Sequence, residues 1–294
     1  MATSHAASLS ALPSQAEVPV IHLRPSRGWS VRRLPELWQY RELLYFLVWR
    51  DMKVRYKQTV AGVAWAVLQP LAMMVVFTLF FGKLAKLPSE GVPYPLFAYA
   101  GLLPWQTFSR TISESANCLV SDQRLITRVY FPRLLVPFST TVAALVDFAI
   151  AALLLGVLML GYGIAPAPSV IWLPFFVGLM LATALGVGFW LSALNLEYRD
   201  VRYVLPFVSQ LWLFLTPVVY PSSMVPARWR LLYGLNPMAG VVEGFRWAMF
   251  GTGHGFSLMM AVSVASACAL LLSGVLFFQT RERVFADILG SGGR

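Results

Sequence analysis

The sequence predicts an all-α integral membrane protein with six transmembrane helices and both termini in the cytoplasm. Apolar residues make up 58% of its 294 residues and charged residues only 12%, about half the share of a soluble domain. Most Lys and Arg residues lie in short gaps between long apolar runs, as in membrane proteins, so the net charge of +10 does not indicate a nucleic-acid partner. The N-terminal region lacks a short apolar core followed by a cleavage site, so we expect the N terminus to stay inside.

Two segments precede the first apolar run. Residues 1–34 are rich in Ala, Ser, Pro and Arg, which is typical of a flexible cytoplasmic tail. Residues 35–57 form an apolar face around Leu47 and a basic face that contains Arg50 and Lys53. This pattern predicts an amphipathic helix that lies along the cytoplasmic surface of the membrane.

The transmembrane domain extends over residues 58–280. The predicted spans are 60–82, 96–120, 138–160, 170–194, 203–220 and 256–278, and residues 281–294 form a cytoplasmic tail. With the N terminus inside, seventeen of the 23 Lys and Arg residues lie in cytoplasmic segments and five in outer ones. This bias supports an even number of spans with both termini inside.

Residues 221–255 are too apolar for an ordinary loop and too short to cross the membrane twice. Pro226 and Gly234 can bound a first short helix. Asn236 can cap a second helix that starts at Pro237 and ends before Gly251. We expect a re-entrant helical hairpin that enters the outer leaflet and acts as a gate; a plain interfacial loop is the alternative.

Three charged residues fall inside predicted spans. Arg110 and Glu114 are four residues apart in span two, so they share a helix face and can pair. Asp147 in span three is an alternative partner for Arg110. Such charges mark either a polar contact between helices or a transport path. No histidine accompanies them, so a proton relay is not expected.

Three stretches resemble a known family: RELLYFLVWRDMKVRYKQTVAGVAWAVLQP (41–70), RLITRVYFPRLLVP (124–137) and LNPMAGVVEGFRWAMFG (235–251). In this order they are similar to the membrane subunit of type 2 ATP-binding-cassette exporters, in the branch that exports polysaccharide and O-antigen. The resemblance implies a homodimer in the bacterial inner membrane, two copies of a separate cytoplasmic ATPase, and a lipid-linked glycan as substrate. ATP and Mg²⁺ would bind the ATPase, because this sequence contains no GxxxxGK[ST] loop. The chain itself is therefore expected not to be an enzyme.

The resemblance also implies candidate residues for contact with the ATPase. The gap after span two resembles a coupling helix, capped by Ser121 or Asp122, and the amphipathic helix would share its contact. The candidates are Arg50, Asp51, Lys53, Arg55, Asp122, Arg124, Arg128, Tyr130, Phe131 and Arg133. A solvated basic loop and simple membrane anchoring are the respective alternatives.

The hairpin supplies the candidates for the substrate path and gate. They are Trp229, Tyr233, Glu243, Arg246 and Trp247. Their aromatic rings could stack on sugars, or they could belong to the interfacial aromatic belt of a membrane protein. The two cysteines, Cys118 and Cys268, lie in or beside apolar runs, and we expect no metal site.

Three other functions compete with glycan export. The same architecture could export a small hydrophobic drug or antibiotic. A glycan polymerase or acyltransferase would need acids or histidines on outer loops, where only Glu90, Glu243 and His254 are available. A secondary transporter would be expected to show internal repeats, and none is evident.

Overall fold

The computed structural model describes residues 38–57, 62–129, 131–198, 200–253 and 255–291, and all regular elements in these ranges are helical. The α-helices are α1 (Arg41–Lys57), α2 (Gly62–Phe77), α3 (Tyr94–Ser121), α4 (Gln123–Arg128), α5 (Leu135–Gly161), α6 (Leu173–Glu197), α7 (Val201–Phe214), α8 (Arg230–Tyr233), α9 (Pro237–Phe250) and α10 (Leu258–Ser291). A π-helical segment, Thr78–Leu84, continues α2, and 3₁₀ turns occupy Pro168–Trp172, Ser222–Met224 and Ala227–Trp229. The predicted tail at residues 1–34 lies outside the described residues.

Four helical segments of the described chain are long and apolar enough to cross a membrane. They are Val67–Leu84, Leu135–Gly161, Pro168–Glu197 and Leu258–Glu282. They correspond to predicted spans one, three, four and six. The complete arrangement of six spans with both termini inside stays a prediction.

Predicted span two corresponds to α3, which is the central helix of the bundle. It has 28 residues and packs against α2, α5, α6, α7 and α9. The ten residues 96–105 are all buried, so this part of the helix is enclosed on every side. Because neighbouring helices surround α3, it can carry more polar groups than a helix that faces lipid.

Predicted span five is shorter than expected. The sequence predicts a span over 203–220, but α7 ends at Phe214 and turns follow it. Pro217 explains the difference, because it has no N–H to continue the helix and disfavours a helical conformation at Thr216. The fourteen residues of α7 have a length of only about 21 Å.

The last helix is longer than expected. The sequence predicts that span six ends near residue 278 and that residues 281–294 form a tail, whereas α10 continues to Ser291. Phe285 is fully buried and its ring lies 5.2 Å from that of Phe278. Burial of this aromatic side chain against the bundle supports the additional helical turns.

The bundle has two distinct ends, which α6 connects over about 36 Å. At the start of α6, Phe176 packs with Ala248 and Met260, and we call this the hairpin end. Near its C terminus, Leu196 belongs to a buried cluster with Ile126, and we call this the α4 end. The predicted gate and the predicted coupling segment therefore lie at opposite ends.

Two glycines allow α6 and α10 to pack closely. A Cβ atom at Gly186 would lie 2.7 Å from the backbone of Leu270 and Leu271, and one at Gly274 would lie 2.3 Å from the Gly186 carbonyl oxygen. Small residues are typical of such contacts between membrane helices. These contacts fix the position of α10, which forms part of both ends of the bundle.

Candidate functional site

Arg50 connects α1 to the start of α4. Its Nη2 atom donates to Asp51 Oδ1 at 2.8 Å and to Asp122 Oδ2 at 2.7 Å. Burial raises the pKa of Asp51 above its usual range, and the hydrogen bonds from Arg50 only partly offset this effect. Asp122 occupies the N-cap position of α4 but caps no N–H with its side chain. Its carboxylate instead holds α1 and α4 together.

A network of charged side chains lies one turn further along α1. Arg55 donates to Glu114 on α3 and to Asp147 on α5, and Tyr56 donates its hydroxyl hydrogen to Asp147. Arg110 completes the network, with Nε 3.0 Å from Glu114 Oε1 and Nη1 3.4 Å from Asp147 Oδ2. We call these five residues the charge network. Its two arginines balance its two carboxylates.

The charge network agrees with one prediction and corrects another. Both partners considered for Arg110 are in contact with it. Arg55 was expected to face an ATPase, but its side chain is only 16% exposed and points into the bundle. Two carboxylates on neighbouring helices attract this guanidinium, which the sequence of α1 alone does not reveal.

The outward side of α1 carries aromatic rings together with the ammonium group of Lys53. Tyr45, Phe46 and Trp49 are exposed, and Lys53 Nζ lies 4.2 Å from the centre of the Trp49 ring. Leu47, on the inward side, is fully buried. Arg50 and Lys53 therefore do not share one exposed basic face, although the sequence places them together.

The candidates on and after α4 separate into exposed and buried groups. Arg124 and Arg128 are exposed, whereas Ile126 between them is buried. Short helices that bury one side and expose basic side chains on the other are suited to contact a partner. The geometry therefore leaves Arg124 and Arg128 available at the α4 end.

Phe131 and Arg133 are bound within the bundle. Phe131 is 5% exposed and belongs to the buried cluster at the α4 end, which leaves little of its ring for the predicted contact with the ATPase. Arg133 donates through Nη1 to the Glu282 carbonyl oxygen at 2.7 Å, which ties the segment to α10. Tyr130 lies outside the described residues.

The caps predicted for the hairpin are confirmed. The Asn236 side chain accepts a hydrogen bond from the Met238 N–H at 3.1 Å, and Pro237 is the first residue of α9. Gly251 ends α9 with a φ of 69°, a left-handed conformation that glycine adopts without a steric penalty. The first helix consists of a 3₁₀ turn followed by α8, which ends before Gly234.

Arg246 is a structural residue of the bundle interior. It is 4% exposed, and its guanidinium lies 3.6 Å from the centre of the Phe97 ring. It donates to the carbonyl oxygens of Phe97 at 3.2 Å, of Pro217 at 2.6 Å and of Val218. The prediction that Arg246 lines an open path is therefore corrected for the single chain, because carbonyls on two distant segments enclose it.

The turn after α7 is held by side chains rather than by helical hydrogen bonds. Asn236 Nδ2 donates to the Leu215 carbonyl oxygen at 3.1 Å, and the Tyr94 hydroxyl donates to that of Val219 at 2.8 Å. Arg246 donates to the carbonyl oxygens of Pro217 and Val218, which lie between Leu215 and Val219. The carbonyl groups that the end of α7 leaves free are thus satisfied from α3 and α9.

The other gate candidates differ in exposure. Trp229 is 50% exposed, whereas Trp247 packs its ring 6.3 Å from that of Phe176. The Tyr233 hydroxyl lies 2.9 Å from the Tyr220 hydroxyl, and the Glu243 carboxylate accepts a hydrogen bond from Ser222. Most of these side chains therefore attach the hairpin to the bundle.

Sequence reasoning missed three residues of these sites. Tyr56 lies beside Arg55 in the charge network, Tyr94 holds the turn after α7, and Trp212 donates to Asn236 Oδ1 at 2.9 Å. Each was hidden among many aromatic residues of a membrane protein. Within the described residues, no three His, Cys, Asp or Glu side chains are grouped to hold a metal ion.

Comparison with known proteins gives a consistent picture. Residues 42–250 match the model of a family described as ABC-2 type transporter. The chain is 31% identical to the O-antigen export system permease protein RfbA of Myxococcus xanthus, over 87% of this chain and 99% of that protein. It is 26% identical to a Klebsiella pneumoniae protein of the same name, over 84% and 95% of the two chains. It is 22% identical to the polysialic acid transport protein KpsM of Escherichia coli, over 79% and 91%.

Proposed function

We propose that this chain, which belongs to the ABC-2 type transporter family, is the membrane subunit of an ATP-driven exporter. The proposed substrate is a lipid-linked, O-antigen-like polysaccharide. The observation that carries this proposal is the similarity to an O-antigen export permease over 87% of this chain and 99% of that protein. Several apolar helices support a multi-pass membrane protein. We place it in the bacterial inner membrane, since its relatives are bacterial proteins.

The proposed complex is a homodimer with two cytoplasmic ABC ATPase subunits, which would bind ATP and Mg²⁺. We assign the ATPase contact to the exposed basic groups at the α4 end, namely Lys53, Arg124 and Arg128. Their neighbours Arg50, Arg55 and Arg133 are held within the chain and are assigned a different role. Exposed charges at a protein contact mainly steer and orient the partner.

We infer that α1 transmits movement from the ATPase contact to the membrane domain. Arg50 binds Asp122 at the start of α4, and Arg55 binds Glu114 and Asp147 on α3 and α5. The two arginines are about 7.5 Å apart along the helix axis. A displacement of α4 would therefore pull on α3 and α5 through a single rigid helix.

The hairpin at the opposite end is proposed as the outer gate. Its second helix, α9, is buried in the bundle through eleven of its fourteen residues, while α8 and the preceding turn are largely exposed. This difference supports α9 as the fixed part and residues 223–233 as the part that moves. A channel for a glycan requires such a seal, because ions would otherwise cross at rest.

Deletion of the gene in its host tests the function. We expect surface glycan to disappear and lipid-linked glycan to accumulate inside the cell. The chain should restore export only together with a hydrolysis-competent neighbouring ATPase, with which it should co-purify. Normal surface glycan in the deletion strain, or restored export with an inactive ATPase, would contradict the proposal.

A further inference from the structure

A small cavity opens between the hairpin and the start of α10. Its volume is about 230 Å³, and its walls come from the turn after α7, from α8 and α9, and from the first residues of α10. We propose that this cavity binds one sugar ring of the glycan during export, which rests on the function proposed above. Of the residues that the sequence predicts for the substrate path, Glu243 alone lines this cavity.

The polar wall of the cavity is already arranged for hydrogen bonding. Glu243 contributes a carboxylate, to which Ser222 donates. The Arg230 guanidinium is held in place by the carbonyl oxygens of Val225 at 3.0 Å and of Ser223 at 3.2 Å. A guanidinium that is fixed before binding loses little side-chain freedom when a ligand arrives.

Ser257 adds a hydroxyl group on the other side of the cavity. Its Oγ atom accepts from the Met260 N–H at 3.3 Å, so its own hydrogen can be donated to a ligand. The cavity therefore offers guanidinium donors and a hydroxyl beside the pair formed by Ser222 and Glu243. Sugar hydroxyl groups both donate and accept, so they can bind groups of either kind.

The apolar wall is formed by Leu231, Leu258 and Met259. A sugar ring has a C–H face that can pack on such side chains while its hydroxyl groups point to the polar wall. The volume is below the roughly 300–1,000 Å³ of pockets for drug-sized ligands, which fits a single ring.

The charges of the cavity favour a neutral polyhydroxyl ligand over a phospholipid headgroup. Arg230 could attract a phosphate, but the carboxylate of Glu243 in the same cavity would repel it. An acyl chain would remove water from both charged groups without adding a hydrogen bond. The hydroxyl groups of a sugar ring can replace that water.

Thiol protection in cells tests this site. In a background with Cys118→Ser and Cys268→Ser, we would introduce Ser257→Cys, with Met224→Cys as an exposed control that does not line the cavity. N-ethylmaleimide is added to cells in which an ATPase variant that cannot hydrolyse ATP traps the glycan in transit. If nine-tenths of the sites are occupied, Ser257→Cys should react about tenfold more slowly than in cells that make no glycan.

The control should react at the same rate in both strains. Equal rates for Ser257→Cys with and without glycan would overturn the proposal. Slow reaction in both strains would also overturn it, because the position would then be shielded from the reagent without any glycan.

A filling variant separates this site from the function as a whole. Ala227 lines the cavity without a hydrogen-bonding role, so Ala227→Phe should fill it and slow glycan export about tenfold if the site limits transit, with Met224→Phe as control. Size-exclusion chromatography of both variants checks the fold. Wild-type chain that exports no glycan would refute the proposed function. Wild-type rates for a folded Ala227→Phe, together with no thiol protection, would refute only the sugar site.

Discussion

Arg55→Gln removes one of the two positive charges of the charge network. Glu114 and Asp147 are then opposed by Arg110 alone, which already contacts both carboxylates. Asp147→Asn has the opposite effect and leaves two arginines with one carboxylate. The double variant restores the balance, because Arg110 and Glu114 remain as a pair with their atoms 3.0 Å apart.

The size of the effect follows from distance and burial. For Arg110 and Asp147, whose Nη1 and Oδ2 atoms are 3.4 Å apart, the attraction at an effective dielectric constant of about 20 is roughly 5 kcal/mol before desolvation is subtracted. The same order of magnitude applies to the contacts of Arg55 in this network. Removal of one partner of a buried pair costs about 3–5 kcal/mol. The side chains of Arg55 and Asp147 are 16% and 12% exposed. We therefore expect each single variant to lower the free energy of unfolding by about 2–4 kcal/mol, and the double variant to lose about 1–2 kcal/mol less than the sum.

Steric trapping in bicelles measures the free energy of unfolding of a membrane protein under native conditions. Arg124→Gln is the control, because Arg124 is exposed on α4 and its loss removes a surface charge. This variant should change the free energy by less than about 1 kcal/mol. Equal losses for Arg55→Gln and the control, or strictly additive losses in the double variant, would show that the charges act independently.

Three other predictions concern the two ends of the bundle. Phe131→Ala should lower the free energy of unfolding by about 3–5 kcal/mol, since the ring is buried, and a stable Phe131→Ala protein would contradict the packing. Arg128→Ala should change the free energy of unfolding by less than about 0.5 kcal/mol but should reduce ATP-driven export. Arg246→Lys should lower the free energy of unfolding by about 2–4 kcal/mol, because an ammonium group cannot bind three separate carbonyls with the same geometry. An unchanged melting temperature would argue against a structural role for Arg246. Asn236→Ala should lower the free energy of unfolding by about 1–2 kcal/mol, because α9 loses its N-cap. Asn236→Asp should retain the cap but lose the hydrogen bond to the Leu215 carbonyl oxygen. Equal melting temperatures for these two variants would show that only one of the bonds matters.

Features that depend on neighbouring residues could be predicted from the sequence. Asn236, Pro237 and Gly251 define α9 because capping and a left-handed C-terminal residue act within one helical turn. The pair between Arg110 and Glu114 follows from the i, i+4 spacing of a helix in the same way.

Features that depend on distant contacts could not be predicted. Arg246 binds the carbonyls of Phe97 and Val218, and nothing in the sequence around position 246 indicates those partners. Phe131 looks like a surface residue because Arg128 and Arg133 flank it in the sequence, yet it packs into a cluster that includes Phe278 from α10. The early end of α7 is a different case: Pro217 is a local signal for it, but the apolar run that continues past Phe214 favoured a longer span.

The turn after α7 also has a consequence for synthesis of the protein. Residues 201–214 leave the exit tunnel of the ribosome while Asn236 and Arg246 are still inside it, so the carbonyls of Leu215, Pro217 and Val218 lack these partners at that time. Each such carbonyl costs several kcal/mol in hydrocarbon. During insertion, α7 is therefore expected to remain next to the translocation machinery, in contact with water or a chaperone, until α9 has emerged from the ribosome. A chain truncated between residues 220 and 236 and released from the ribosome should remain bound to this machinery and should be degraded rather than inserted.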